Sequence, residues 1–356
     1  MASSGLVGKI QTVLGVIDPE ELGVTSSHEH ILSDMSTYFI EPQGASQKEL
    51  ADQPLCLENL AWARAHRFSN RDNMRLGNRE LAAKEVALFR YAGGNSIAEM
   101  SQHGLCRDPE GLAYVSRASG VNIIMGSGYY VGISHPADMD TRSEEEITQE
   151  IVTDILSGVG DTGIKAGIIG EIGCTVLTAN EKKVLRAACA AQRLTGAPLV
   201  VHPCFSDELA LEILDILGEA GAVLDHTMIC HMEVMDFALE TRLKFLEAGC
   251  YVGYDNFGNI GYPHGYLGMV VNLTTDLARI RDIKDLIERG YLKQILPGQD
   301  IVFKDMLRAY GGYGYAHLLE NAVPLMRNLG LTETDIHALL VDNPKAFFTF
   351  RESETL

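Results

Sequence analysis

The sequence predicts a (β/α)8 TIM barrel with extended βα loops over its C-terminal face. Short runs rich in Val, Ile and Leu alternate with longer segments whose apolar residues have helical spacing. These runs lack polar alternation, as expected of strands buried on both faces. Eight of them alternating with helices predict a parallel sheet that closes into a barrel. An open doubly wound sheet is the alternative, but no GxGxxG or GxxxxGK[ST] motif follows a predicted strand.

Two successive intervals, 31 residues from Glu171 to His202 and 29 from His202 to His231, match the length of about 30 residues for one strand and its crossover helix. The predicted strands are 23–27, 94–99, 121–127, 166–172, 198–202, 227–231, 250–254 and 294–297. The predicted helices are 77–92, 109–118, 144–156, 180–195, 206–219, 236–248, 276–289, 315–328 and 333–340. Asn180 and Ser206 are predicted helix N-caps, since each is followed by an early carboxylate. We expect one domain, 1–356.

Three loop segments interrupt this pattern and follow predicted strands. Segment 36–78 is long and polar, and segments 257–275 and 310–315 are rich in Gly and Tyr. Long βα loops on such a barrel form the substrate pocket and its lid.

Composition limits the classes of partner. A formal net charge of −19 disfavours nucleic acid and anionic membranes. Seven cysteines, an odd number without a CxxC pair, predict reduced buried thiols. No apolar run of about 18 residues occurs, and the N-terminus does not resemble a signal peptide. We therefore expect a cytoplasmic protein with a small-molecule substrate, no nucleic-acid partner and no membrane partner.

Polar residues that can bind metal stand where the predicted strands end. His28 and His30 follow the first strand, and residues i and i+2 of an extended chain point to the same side. Barrels of this type gather their functional groups at the C-terminal ends of the strands. Buried charge is unfavourable unless it is paired or bound to metal. The predicted metal ligands are His28, His30, Glu171, His202, His231 and Asp300.

Six ligands suit two divalent metal ions better than one. Glu171, central in the set, can bridge them with one oxygen on each. The metals would share a water whose pKa falls towards about 7, which makes hydroxide available at neutral pH. Asp300 is the predicted catalytic residue, because it can bind metal and also accept the water's proton. Zinc is the expected metal, with manganese, cobalt or iron as alternatives.

The motifs resemble those of the phosphotriesterase family of the amidohydrolase superfamily, especially its phosphotriesterase-related branch. They are GKIQTVLG at 8–15, HEH at 28–30, IIGEIGC at 168–174 and DNPK at 342–345. The resemblance implies a homodimer and one buried metal held by His28, His30 and Asp300. It implies that His202 and His231 hold a second, more exposed metal, and that Glu171 bridges the two.

The sequence departs from the organophosphate-cleaving members of that family. Glu171 replaces a carboxylated lysine, Asn256 replaces a relay histidine, and Val234 replaces a relay carboxylate. An amide cannot relay a proton as imidazole does, so these changes disfavour phosphotriester hydrolysis. Tyr130 matches a tyrosine that the family's lactonases place near the bridging water.

We therefore predict a binuclear-metal hydrolase that uses a metal-bridging hydroxide on a carboxylic ester, a lactone or an amide, including small N-acyl compounds. The alternatives are an organophosphate hydrolase and a metal-stabilised binding protein with little turnover. Arg64, His66 and Arg67 stay open between pocket and surface. The substrate-binding candidates are Tyr130, Asn256, His264 and Arg308.

Overall fold

The computed structural model describes residues 5–259, 264–266, 269–271 and 273–354, with backbone alone for 264–266 and 269–271. Across these residues no helix combines the length and apolar character needed to cross a membrane.

The described residues contain a parallel sheet of eight strands in chain order, each hydrogen-bonded to the next, as predicted. Before it stands an antiparallel hairpin of β1 (Ile10–Thr12) and β2 (Gly15–Ile17). A second hairpin, β10 (His264–Tyr266) and β11 (Met269–Val271), lies between the last two barrel strands. The barrel strands are β3 (Thr25–Glu29), β4 (Ser96–Glu99), β5 (Asn122–Ser127), β6 (Ile168–Gly173), β7 (Leu199–His202), β8 (Thr227–Ile229), β9 (Tyr251–Tyr254) and β12 (Ile295–Pro297).

Helices fill the connections between these strands. They are α1 (Ala45–Asp52), α2 (Leu60–Ala65), α3 (Arg79–Tyr91), α4 (Pro109–Ser119), α5 (Glu144–Leu156), α6 (Ala179–Thr195), α7 (Asp207–Glu219), α8 (Leu239–Glu247), α9 (Asp276–Glu288), α10 (Val323–Asn328), α11 (Glu333–His337) and α12 (Asn343–Phe348). One π-helical turn, Leu318–Ala322, leads directly into α10, and a second, Ala338–Asp342, joins α11 to α12.

One predicted N-cap is confirmed and the other is wrong. Ser206 accepts the Leu209 amide at 3.4 Å and begins α7. The N-cap of α6 is Thr178 rather than Asn180. Thr178 accepts the Glu181 amide at 3.2 Å, and the Glu181 carboxylate accepts the Thr178 amide at 2.8 Å. This reciprocal capping box places the N-cap two residues earlier than predicted, because it satisfies two terminal donors together.

The interior of the barrel below the strand ends is apolar. Side chains from adjacent strands, all fully buried, form one cluster that is separate from the larger core beneath the helices. Its fully buried members on the barrel strands are Ala98, Ile124, Ile168, Val200, Met228 and Leu296. Such packed layers close the centre of a barrel, so polar residues gather at its C-terminal end.

The first and last barrel strands approach through the segment that follows β12. The amides of Gln299 and Asp300 donate to the His28 carbonyl at 3.3 and 3.2 Å. Gly298 permits this approach, since a Cβ there would lie 2.8 Å from the His28 carbonyl oxygen and 2.9 Å from its amide nitrogen. Both are backbone atoms of His28 rather than the end of a flexible side chain, so there is little room for adjustment and position 298 favours glycine.

We predict that Gly298→Ala lowers the free energy of unfolding by about 1–3 kcal/mol, the usual effect of overpacking. Gly218→Ala in α7 is the matched control, because a Cβ there meets nothing within 4 Å. That variant should be neutral or slightly stabilising, as Ala replaces Gly in a helix. Urea unfolding measures both, and equal effects would contradict the proposed role of Gly298.

Candidate metal centre

The structure brings all six predicted ligands together at the C-terminal end of the barrel. Glu171, in β6, lies centrally among them. Its carboxylate oxygens lie near one nitrogen of every histidine in the set. The distances are 3.7 Å to His28 Nε2, 3.4 Å to His30 Nε2, 3.3 Å to His202 Nδ1 and 3.2 Å to His231 Nε2.

Asp300 completes the cluster on the side of the first strand. Its Oδ1 lies 3.5 Å from His28 Nε2 and 3.4 Å from His30 Nε2. Asp300 and His231 have φ angles of 49° and 61°. Left-handed backbone at such residues is unfavourable by about 1–3 kcal/mol and is common at functional sites, where surrounding contacts impose it.

Electrostatics keep both carboxylates ionised. Burial opposes the ionisation of Glu171, but a charge interaction with His28 and hydrogen bonds from the other histidines outweigh it and lower the pKa of Glu171. Burial is likewise outweighed at Asp300, whose pKa is lowered by its interactions with His28 and His30. Burial would lower the pKa of His30, yet hydrogen bonds to Asp300 and Glu171 raise it to about 10. The pocket thus favours positive charge between its carboxylates.

The donor set fits divalent cations. Ligand atoms of His28, His30 and Asp300 lie within 4.8 Å of one another, as do those of His28, Glu171, Cys230 and His231. His28 Nε2 is buried without a hydrogen-bond partner among the described residues, although it faces both carboxylates. Imidazole and carboxylate are the ligands of zinc-like metals.

The sequence did not indicate Cys230 as a potential ligand. Its Sγ lies 3.4 Å from His28 Nδ1, the ring nitrogen opposite Nε2. Burial raises the pKa of the Cys230 thiol well above its usual value. We assign Cys230 to the packing behind His28, because its Sγ contacts the ring nitrogen opposite the one that faces Glu171 and Asp300.

Asp255, directly after β9, orients two of the histidines. It lies 2.8 Å from His231 Nδ1 through Oδ1 and 3.4 Å from His28 Nδ1 through Oδ2. It also accepts the His231 amide through both oxygens at 3.2 Å. A carboxylate on the far nitrogen fixes the tautomer and ring orientation of a metal-binding histidine. Asp255 lies at a strand end like the predicted ligands, and that position was the signal that could have identified it.

Buried glutamates hold the backbone around the ligands. Glu29 accepts the amides of Gln299 at 3.1 Å and Ile301 at 3.3 Å, on either side of Asp300. Burial raises the pKa of Glu29 to about 8. Glu99 accepts the amides of Ile31 and Ser101, each at 3.2 Å, in the turns after β3 and β4. These bonds fix the directions in which the ligands project.

A cavity of about 560 Å³, including its open mouth, lies over the cluster. Two predicted substrate-binding residues, Tyr130 and Asn256, line it together with His202, His231 and Asp300. The Tyr130 ring lies edge-on to His202, with centroids 5.3 Å apart. Met35, Phe68, Phe205, Leu273 and Phe303 supply apolar wall.

The other two predicted substrate-binding residues are Arg308 and His264. Arg308 is not among the described residues that line the cavity, so the structure does not place it against a substrate. Its guanidinium is drawn away by Glu320 and by the Tyr313 carbonyl at 3.2 Å. The side chain of His264 lies outside the described residues. Arg67, which the sequence left open, does line the cavity.

A barrel with buried histidines and carboxylates at its C-terminal end belongs to the class of metal-dependent hydrolases in the amidohydrolase superfamily. The model of the "Phosphotriesterase family" matches residues 8–348. The chain therefore belongs to the phosphotriesterase family, as predicted, and it is a hydrolase.

Relatives cover almost the whole chain. The N-acetyltaurine hydrolase of Homo sapiens is 37% identical over 350 residues, 98% of this chain and 100% of the relative. A resiniferatoxin-binding protein from Rhodobacter sphaeroides superposes with a TM-score of 0.92 at 35% identity, covering 98% of each chain. The phosphotriesterase homology protein from Escherichia coli, complexed with phosphate in its active site, gives 0.77 at 30% identity, covering 93% of this chain and all of its own.

We predict that Asp255→Asn weakens zinc affinity by about 10- to 100-fold, because loss of an orienting carboxylate has effects of this size. Competition with a chromophoric chelator measures it. Asp282→Asn is the control, since this exposed carboxylate contacts Arg242. Equal affinities in both variants and the wild type would contradict the role given to Asp255.

Proposed function

We propose that this protein binds two divalent metal ions, with zinc the expected one, and hydrolyses the amide bond of small N-acyl compounds. One observation carries the proposal: Glu171 contacts all four histidines beneath a cavity whose floor includes Asp300. The kinship with N-acetyltaurine hydrolases supports an amide as the bond that is cleaved.

His28, His30 and Asp300 would hold one metal, and His202 and His231 the other, with Glu171 between them. Metal ions at these positions would supply Lewis acidity, which lowers the pKa of water and polarises a carbonyl oxygen.

Asp300 is the carboxylate that reaches the cavity. Its side chain is 16% exposed, whereas that of Glu171 is 1% exposed. Asp300 can therefore accept a proton from a water that attacks the amide carbonyl and return it to the departing amine nitrogen. The hydrogen bonds of Glu29 to both flanking amides keep this carboxylate in place during the transfer. Tyr130 and Asn256 would contact the substrate from the cavity wall.

Carboxylic esters and lactones are the second candidate substrates, because the same proton transfer serves either acyl group. Phosphotriesters are disfavoured by Asn256. Its Nδ2 donates to Asp255 at 3.1 Å and its Oδ1 accepts from Asn259 at 2.8 Å. An amide held in this way has no titratable proton to relay, and Val234 beside it in the cavity has none either.

We predict that Asp300→Asn lowers kcat for N-acyl substrates by about 10²- to 10⁴-fold, the usual effect of losing a general base. Steady-state assays of zinc-loaded protein on matched N-acyl amino acid, aryl ester, lactone and phosphotriester panels measure this. Thr162→Val, in an exposed loop, is the control and should keep wild-type kcat.

The wild type should cleave the N-acyl compounds with the highest kcat/KM in the panel. Full turnover by Asp300→Asn, or a preference for phosphotriesters, would overturn the proposal. The absence of turnover on every panel would favour a binding protein instead.

A further inference from the structure

Arg67 supplies the single guanidinium among the described residues that line the cavity. It follows α2 in the long connection between the first two barrel strands, and it is only 4% exposed. Arginine is rarely buried to this degree unless its donors are engaged. Its contacts therefore show which of its donors the protein itself uses.

The protein satisfies only part of the Arg67 guanidinium. Nη1 donates to Asn259 Oδ1 at 2.5 Å, and Nη2 donates to Asp305 Oδ2 at 3.3 Å. Nε is buried and has no hydrogen-bond partner among the described residues. The planar group also lies over the Phe303 ring, 5.4 Å from its centroid. These contacts hold the guanidinium rigidly and leave hydrogen-bonding capacity for a ligand.

The charge around Arg67 is not balanced locally. The Asp305 carboxylate is shared with a second guanidinium, since Arg64 Nε lies 3.6 Å from the same Oδ2. Its Oδ1 is occupied by Asn73 Nδ2 at 2.9 Å. Arg64 is 41% exposed, so water solvates its charge, whereas Arg67 is 4% exposed and has Asp305 as its ion-pair partner. Because Asp305 also interacts with Arg64 and Asn73, it compensates the buried charge of Arg67 only in part, which favours an anionic ligand.

The cavity thus has two chemically distinct parts. The candidate metal centre forms one part, with His202, His231 and Asp300. Arg67 forms the other, and apolar side chains such as Phe68 and Leu273 complete the wall. A ligand that fits both parts carries a hydrolysable acyl group and, separately, a negative charge.

We propose that Arg67 binds an anionic group on the amine part of the substrate, so that the enzyme selects N-acyl amines bearing a carboxylate or a sulfonate. This assignment rests on the proposed amide hydrolysis for its kinetic test, although anion binding by Arg67 is testable without turnover.

The kinetic test compares N-acetyl-2-aminoethanesulfonate, N-acetyl-β-alanine and the neutral N-acetyl-β-alaninamide in the zinc-loaded enzyme. Arg67→Met should raise KM for the anionic compounds by about 10- to 100-fold, the range for a charge-assisted hydrogen bond, and leave the neutral compound unchanged. Arg67→Lys should raise KM for the anionic compounds less than Arg67→Met does, because lysine keeps the positive charge. Arg64→Met is the matched control, since Arg64 contacts the same carboxylate without lining the cavity.

The relative KM values of the sulfonate and the carboxylate show which anion the pocket prefers. Equal wild-type KM values for the charged and neutral compounds would overturn the proposal. An Arg67→Met variant whose KM rises by the same factor for all three compounds would overturn it as well.

Calorimetry separates this proposal from the proposed function. Propane-1-sulfonate and butanoate should bind wild-type protein more tightly than butanamide does, and Arg67→Lys should weaken that binding. Anion binding that depends on Arg67, without turnover of any N-acyl compound, would refute amide hydrolysis and support the Arg67 site. Anion binding unaffected by substitution of Arg67 would refute the Arg67 site, whatever the enzyme hydrolyses.

Discussion

The contacts of one carboxylate with four imidazoles organise the C-terminal end of this barrel. Glu171 is 1% exposed and lies 3.2–3.7 Å from a nitrogen of each histidine in the cluster. Burial alone would neutralise such a carboxylate, so its ionised form depends on the histidines, and their orientation depends on it. Side chains from separate strands must therefore meet at one point, which requires the closed barrel and its apolar floor.

Backbone hydrogen bonds to buried carboxylates provide the rigidity that this meeting point needs. Glu29 holds the amides on either side of Asp300, and Asp255 holds the amide and ring of His231. Both ligands have left-handed backbone, which is unfavourable for residues other than glycine. Each anchor lies on or directly after the strand beside its ligand's strand, β3 beside β12 for Asp300 and β9 beside β8 for His231, so the alignment of Asp300 depends on closure of the barrel. A rigid centre of this kind can stabilise charge without reorganising during a reaction.

Sequence reasoning predicted the barrel strands and the convergence of the ligands because both depend on local patterns. Apolar runs, the i, i+2 spacing of His28 and His30, and polar residues at strand ends are visible without tertiary structure. Arg67 could not be placed in this way, because Asn259 and Asp305, 192 and 238 residues away, hold it in the cavity. Arg308 is a different case: it is not among the described residues that line the cavity, and Glu320, 12 residues further along the chain, binds its guanidinium. Asn180 was wrongly predicted as the N-cap of α6 from its residue type. The reciprocal hydrogen bonds between Thr178 and Glu181 make Thr178 the N-cap instead.

We propose that these six residues hold two metals with Glu171 between them. Anomalous diffraction from crystals of zinc-loaded protein, collected on both sides of the zinc absorption edge, can locate each ion. Two peaks are expected, one beside His28, His30 and Asp300 and the other beside His202 and His231, with Glu171 contacting both. A single peak, or a metal ligated by Cys230 in place of Glu171, would refute the binuclear centre.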